Sequence, residues 1–96
     1  MTEIEKVILD CIENSNGIKE LELLCQVLKT FAENNKKIPD ENDFFNAINS
    51  LKDKKMIKYF DYIDYNKHNK RSKTKTIYFS NETKFVYSIE NIGKNI

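Results

Sequence analysis

The strongest constraint on this chain is a change of period at Met56. Before it, apolar side chains recur every three to four residues, the spacing of a helix buried on one face. After it they alternate, the spacing of a strand. A helical stripe written three times, then one switch to strand spacing, predicts an α+β chain with a helical layer first and a small sheet second.

The first stripe runs from Glu3 to Asn14, with Ile4, Val7, Ile8, Cys11 and Ile12 on one face. Thr2 stands at the N-cap position, and Glu5 three residues later completes a capping box. Asn14-Ser15-Asn16-Gly17 ends it in a turn. The second helix is read from Ile18 to about Asn34, with Leu21, Leu24, Cys25, Leu28 and Phe31 or Ala32 along its stripe. Leu23 and Val27 widen that stripe, which predicts cover on more than one side. A polar break, Glu33 to Pro39, follows. Asp40 is the expected N-cap of the third helix, with Asp43 in the box position. Phe44, Ala47, Ile48 and Leu51 form its buried stripe, Phe45 lies at the edge, and Lys52, Lys54 and Lys55 place cations at its negative end.

Beyond the switch, Met56 to Tyr65 is rich in aromatic and β-branched residues, and Thr74 to Ser80 is again strand-like. Asn66 to Lys73 between them is polar and basic. The pair predicts a β-hairpin whose tip is too long for a two-residue turn. In the tail, Phe85, Ile89, Ile92 and Ile96 fit one helical face, while Lys84 to Ile89 would also pass as a strand. The reading is one domain over residues 1–96: a helical core over 1–55, a hairpin over 56–80 and an extension over 81–96.

Composition excludes several classes. With 96 residues, 40% hydrophobic, 2 Gly and 1 Pro, the chain is too apolar for a disordered tail and too poor in Gly and Pro for a collagen-like segment. No apolar run approaches the ~18–20 residues of a membrane helix. Met1 to Glu5 carries two acids and no basic region, so no signal peptide is expected. Two cysteines, Cys11 and Cys25, are too few for a disulfide framework in a small secreted domain. Both are read as small core hydrophobes in a reduced, cytoplasmic compartment, on the nucleoid or in a nucleus. One histidine and no close CxxC pair predict no metal site, and no cofactor is expected. Lys, Asn and Ile supply 39 of 96 residues. All three are written in A/T-rich codons, which dilutes the meaning of any single lysine. Net charge is only +1, but it is uneven. Residues 1–43 hold ten acids and five lysines, −5; residues 44–96 hold five acids and eleven bases, +6. That polarity points to a basic working face in the second half.

Three helices followed by a hairpin with a basic tip resemble the winged-helix superfamily, over Ile4 to about Phe79. The join Ala47-Ile48-Asn49-Ser50-Leu51-Lys52-Asp53-Lys54-Lys55-Met56-Ile57 is similar to the passage, in many such proteins, from the third helix into the first strand of the wing. The resemblance implies a nucleic-acid-binding protein, a transcriptional regulator that contacts double-stranded DNA, and a tail that either folds back onto helix one or pairs with a second chain. The departures are specific. The interval from Phe31 to Asp40 exceeds the tight turn of helix-turn-helix readers. Helix three opens on Asp40, Glu41 and Asp43, and it carries no Arg, the side chain that most often reads guanine. The wing lacks the Pro and Trp of the Z-nucleic-acid-binding subgroup.

The wing is therefore the leading candidate site. Lys67, Lys70, Arg71, Lys73 and Lys75 surround His68, with no acid from Asn66 to Thr76. Such a tip can follow a minor groove or a phosphate backbone, or be an ordinary solvated loop. On helix three, Asn46, Asn49 and Ser50, with Asn42, lie off the apolar stripe; Asn can pair with adenine, and a merely polar surface would look the same. Tyr59, Phe60, Tyr62, Tyr65, Tyr78 and Phe79 cannot all be buried on one side of a hairpin. Those left exposed suit base stacking or a protein interface. Phe85, Ile89 and Ile92 could form a homodimer or partner contact. No arrangement orients His68 as a base, and Gly17 and Gly93 make no phosphate loop, so an enzyme is not expected. Three functions remain. One is nucleic-acid binding through the wing. Another is a protein-interaction module or adaptor subunit in a transcription, replication or phage-type assembly. The third is single-stranded DNA or RNA binding by aromatic stacking.

Overall fold

A computed structural model describes residues 1–81. The elements are α1 (Glu3–Glu13), β1 (Ile18–Lys19), α2 (Glu20–Glu33), α3 (Glu41–Asp53), β2 (Ile57–Asn66) and β3 (Arg71–Ser80). Three helices and a three-stranded antiparallel sheet of order β1-β3-β2 make an α+β fold.

Two helix starts form as their sequences dictate. The Glu5 amide donates to Thr2 Oγ1 at 3.3 Å, and Glu5 Oε1 accepts from the Thr2 amide at 3.3 Å. At α3 the Asp43 amide donates to Asp40 Oδ1 at 2.8 Å, and Asp43 Oδ2 accepts from the Asp40 amide at 3.2 Å. Each box satisfies two amides that have no partner within the helix. The stripes then meet in one core: Ile8 and Ile12 from α1, Leu23, Val27 and Phe31 from α2, and Phe44, Ala47, Ile48 and Leu51 from α3. Ile18, Ile57 and Tyr78 cap it from the sheet.

Four sequence expectations need correction. First, Ile18 and Lys19 are strand, not helix. Ile18 pairs with Tyr78 and Lys19 with Ile77, and α2 begins at Glu20. A two-residue strand carries no period of its own; its pairing partner lies about sixty residues away. Second, the buried stripe of α2 is Leu23, Val27 and Phe31, while Leu21 is 72% exposed. Its apolar residues cover somewhat more than half of the helix, so spacing alone does not choose which part of that wide arc faces the core. Third, Cys25 is exposed and Cys11 half-buried, with burial pushing the Cys11 thiol above its ordinary value. Fourth, only Lys67–Lys70 separate the strands, because pairing runs unbroken from Ile57↔Ser80 to Asn66↔Arg71. Antiparallel backbone pairing requires no apolar side chain, so a polar ribbon continues where composition suggests a loop. The turn is set locally. The His68 amide donates to Asn66 Oδ1 at 2.8 Å, the Arg71 amide to Asn69 Oδ1 at 3.0 Å, and Lys70 adopts φ 55. The tail residues Phe85, Ile89, Ile92 and Ile96 lie outside the described residues.

Three contacts distant in sequence fix the hairpin and helices together. The Tyr78 hydroxyl donates to Glu20 Oε2 at 2.8 Å, joining the start of α2 to β3. Lys54 Nζ donates to Glu5 Oε2 at 3.0 Å and Ser50 Oγ to the same oxygen at 3.4 Å, joining α3 to α1. Gly17, at φ 110, turns the chain from α1 into β1. A β-carbon there would stand 2.7 Å from Cε1 of Phe79, so the ring rests where only glycine leaves room. Lys36 also pairs with Glu3. Among the described residues no helix is long and apolar enough to cross a membrane.

Candidate nucleic-acid interface

Cross-strand partners share a face of a hairpin, and successive pairs alternate between faces. One face holds Ile57–Ser80, Tyr59–Tyr78, Asp61–Thr76, Ile63–Thr74 and Tyr65–Ser72. Ile57 and Tyr78 belong to the core, so this is the helix-side face. The outer face holds Lys58–Phe79, Phe60–Ile77, Tyr62–Lys75, Asp64–Lys73 and Asn66–Arg71. The expected basic residues thus divide by position. Lys67, His68 and Lys70 sit in the exposed turn, while Arg71, Lys73 and Lys75 line the outer face.

Lys75 differs from the others. Its Nζ lies 2.6 Å from Asp64 Oδ2. The contact holds the Asp64 carboxyl below its ordinary value and the Lys75 ammonium above its own. The two charges cancel at long range, so the Asp64 carboxylate does not oppose an approaching anion. Among the described residues Lys67, Lys70, Arg71 and Lys73 take part in no ion pair. Arg71, Lys73 and Lys75 border a shallow cavity of about 140 Å³ with Asp64, Asn66 and Asn69. It is small and polar, a place for an anionic group rather than an apolar ligand.

The helix-side face is different in kind. Lys52 Nζ lies 4.3 Å from the centre of the Tyr59 ring and 5.5 Å from that of Tyr78, a cation over two aromatic faces. Asp61 Oδ1 accepts from Thr76 Oγ1 at 2.7 Å. Past that point Ile63 is 73% and Tyr65 54% exposed. The crowding of aromatics expected on the hairpin resolves by alternation: Tyr78 is buried, Tyr62 half-buried, and Tyr59 and Phe60 stay exposed on opposite faces.

The structure does not bring the helix-three residues to the hairpin cations. Asn46 and Ser50 line a groove of about 410 Å³ against the start of α1, with Glu3, Glu5 and Asp43 on its walls. Ser50 is also committed to Glu5. Carboxylates at that groove make it unsuited to a polyanion. Asn42, Asn46 and Asn49 are exposed at one helical stripe's spacing and form an uncharged strip.

Sequence reasoning missed three features: the Lys75–Asp64 pair, the Lys54–Glu5 pair and the Lys52–Tyr59 contact. The first has only a partial signal, since the hairpin register sets Asp64 opposite Lys73 and reaches Lys75 on the diagonal, two residues along the same strand. Among the described residues no group of three or more His, Cys, Asp or Glu side chains is placed to hold a metal. In comparisons with known proteins, no protein-family model and no curated sequence matches the chain.

Proposed function

We propose that this chain is a small winged-helix nucleic-acid-binding protein, a transcriptional regulator whose wing grips the phosphate backbone. The element order supports the fold: a short strand between the first two helices, then a long hairpin after the third, in a sheet of order β1-β3-β2. One observation carries the function. Lys67, Lys70, Arg71 and Lys73 gather at the end of a ribbon with no ion-pair partner among the described residues, on a chain whose net charge is only +1. Each phosphate such a cation neutralises releases a condensed counterion, so the contact is strong at low salt and independent of sequence. His68 adds a ring nitrogen to the same tip. Helix three contributes little base reading, because Asp40 and Asp43 cap it and its exposed strip is asparagine.

The test is binding to duplex DNA at low and moderate salt, with and without the substitutions Lys70→Gln, Arg71→Gln and Lys73→Gln together. Binding that weakens with salt and is largely lost in the triple variant supports the reading. No binding in either condition, or binding indifferent to the substitutions, ends it.

A second reading rests on Leu21, Ile63 and Tyr65, three large apolar side chains more than half exposed. They favour a protein-interaction module in a transcription, replication or phage-type assembly. Sedimentation separates the two: a strict monomer with tight, sequence-selective DNA binding would rule this reading out.

A further inference from the structure

The proposed phosphate grip uses only the distal half of the wing's outer face. Towards the helices the same face changes chemistry. Its cross-strand pairs run Asn66–Arg71, Asp64–Lys73, Tyr62–Lys75 and Phe60–Ile77. Successive pairs on one face lie about 6.8 Å apart, so the four span about 20 Å. Phe60 keeps 41% of its surface exposed, and Tyr62 and Ile77 are half-buried beside it. The sheet's contributions to the core, Ile57 and Tyr78, belong to the other face. On this one, Tyr62 and Lys75 border a cavity with Glu20, Leu21 and Glu22 at the start of α2, and Phe60 lies outside that cavity.

A ligand that matches the whole strip must offer negative charge at one end and flat apolar rings at the other. An acidic peptide matches the strip only if its sequence places aromatic side chains at the right distance from its carboxylates, whereas a nucleic acid carries charge and ring in every unit. A duplex has regularly spaced phosphates, but its bases are stacked inward, and Phe60 and Tyr62 would face only sugar and phosphate. A single strand carries both groups, because an unpaired base can turn onto an aromatic side chain while its phosphate stays within reach of a cation. The Lys75–Asp64 pair sits between the two halves and presents no net charge to a strand crossing it.

We infer that the outer face of the wing binds single-stranded nucleic acid, with phosphates on Arg71 and Lys73 and bases stacked on Tyr62 and Phe60. The inference rests on the wing being the phosphate-binding element, and it adds a preference for unpaired over paired strands. The strip reads rings and charges, which DNA and RNA share, so the sugar is left to the experiment.

Fluorescence anisotropy with labelled oligo-dT and oligo-U of about twelve nucleotides, against a duplex of equal length at the same salt, tests this. The full chain should hold single strands at least about tenfold more tightly than duplex, a typical worth of one base stack. Stronger binding of oligo-dT assigns DNA, stronger binding of oligo-U assigns RNA, and equal binding assigns a site indifferent to the sugar. Phe60→Ala should cost single-strand affinity about tenfold and leave duplex affinity unchanged. Phe60→Leu keeps an apolar side chain at the same place and should show the same loss, which separates loss of the ring from loss of the fold. With five tyrosines and no tryptophan, the protein's own emission should also fall on addition of unlabelled oligo-dT. Duplex bound as tightly as single strand, or Phe60→Leu without effect on single strands, overturns the inference while leaving the phosphate grip intact. If neither single strand nor duplex binds, the proposed function fails along with it.

Discussion

Removing one oxygen from Tyr78 tests how the hairpin is tied to the helices. Tyr78 is 1% exposed and its hydroxyl donates to Glu20 Oε2 at 2.8 Å. Tyr78→Phe keeps the ring in the core and so avoids the ~3–5 kcal/mol cost of deleting a buried aromatic. What goes is a hydrogen bond to a charged group, worth about 1.5–3 kcal/mol. Glu20 is only half-buried, and water can replace the lost donor at its carboxylate, which places the expected cost at the lower end, about 1.5 kcal/mol. A chain of this length has about 5–14 kcal/mol in total, so the change is readable. In urea unfolding, with a slope of about 1–1.5 kcal/mol per molar, the midpoint should fall by about 1 M with the slope unchanged. Glu20→Ala, which removes the acceptor, should cost at least as much, and the double variant less than the two together. Burial and the Glu20 carboxylate push the Tyr78 phenol above its ordinary value of 10. The contribution is therefore whole below pH 10 and is lost as pH rises beyond it, a dependence that Tyr78→Phe should remove. A midpoint within about 0.2 M of the parent would refute the assignment of this bond as a tie between α2 and β3.

Other outcomes follow from the same geometry. Gly17→Ala adds a β-carbon 2.7 Å from the Phe79 ring at φ 110, and should destabilise by about 2–4 kcal/mol in the same assay; a change under about 0.5 kcal/mol would show that the turn is not constrained. Lys54 and Thr2 hold the Glu5 carboxyl at about 2, below its ordinary value of 4.5, so its contribution is present above pH 4.5 and fades as pH falls towards 2. Glu5→Gln should flatten that part of the stability profile, and an unchanged acid limb would contradict it. Asp40→Ala removes the acceptor for the Asp43 amide and should cost about 1 kcal/mol by urea unfolding, as N-cap losses do.

Much of this fold is legible because its determinants are local. Thr2 with Glu5, and Asp40 with Asp43, announce two helix starts within four residues each, and Phe44, Ala47, Ile48 and Leu51 announce a buried face by spacing alone. The parts that are not legible depend on distant partners. Ile18 and Lys19 are strand only because β3 passes beside them. Leu21 and Leu23 are equally apolar, yet Leu23 is buried and Leu21 exposed, because the packing of α2 decides between them. At the candidate site, sequence finds the cations but not their state. Lys75 looks like Lys73 until the structure shows its ammonium reaching diagonally to Asp64, whose direct cross-strand partner is Lys73. Ser50 looks like a free polar side chain until Glu5 is seen to hold it.

The central claim is that unpaired charge at the ribbon's end meets phosphate. Its most direct measurement is the slope of log binding constant against log salt for duplex DNA. Four phosphate contacts predict a slope of about −3.6, and Lys73→Gln or Arg71→Gln should each reduce its magnitude by about one unit. Lys75→Gln combined with Asp64→Asn should leave the slope nearly unchanged, because the two charges removed already cancel each other. A slope near zero, or one that Lys73→Gln and Arg71→Gln fail to move, would contradict the account.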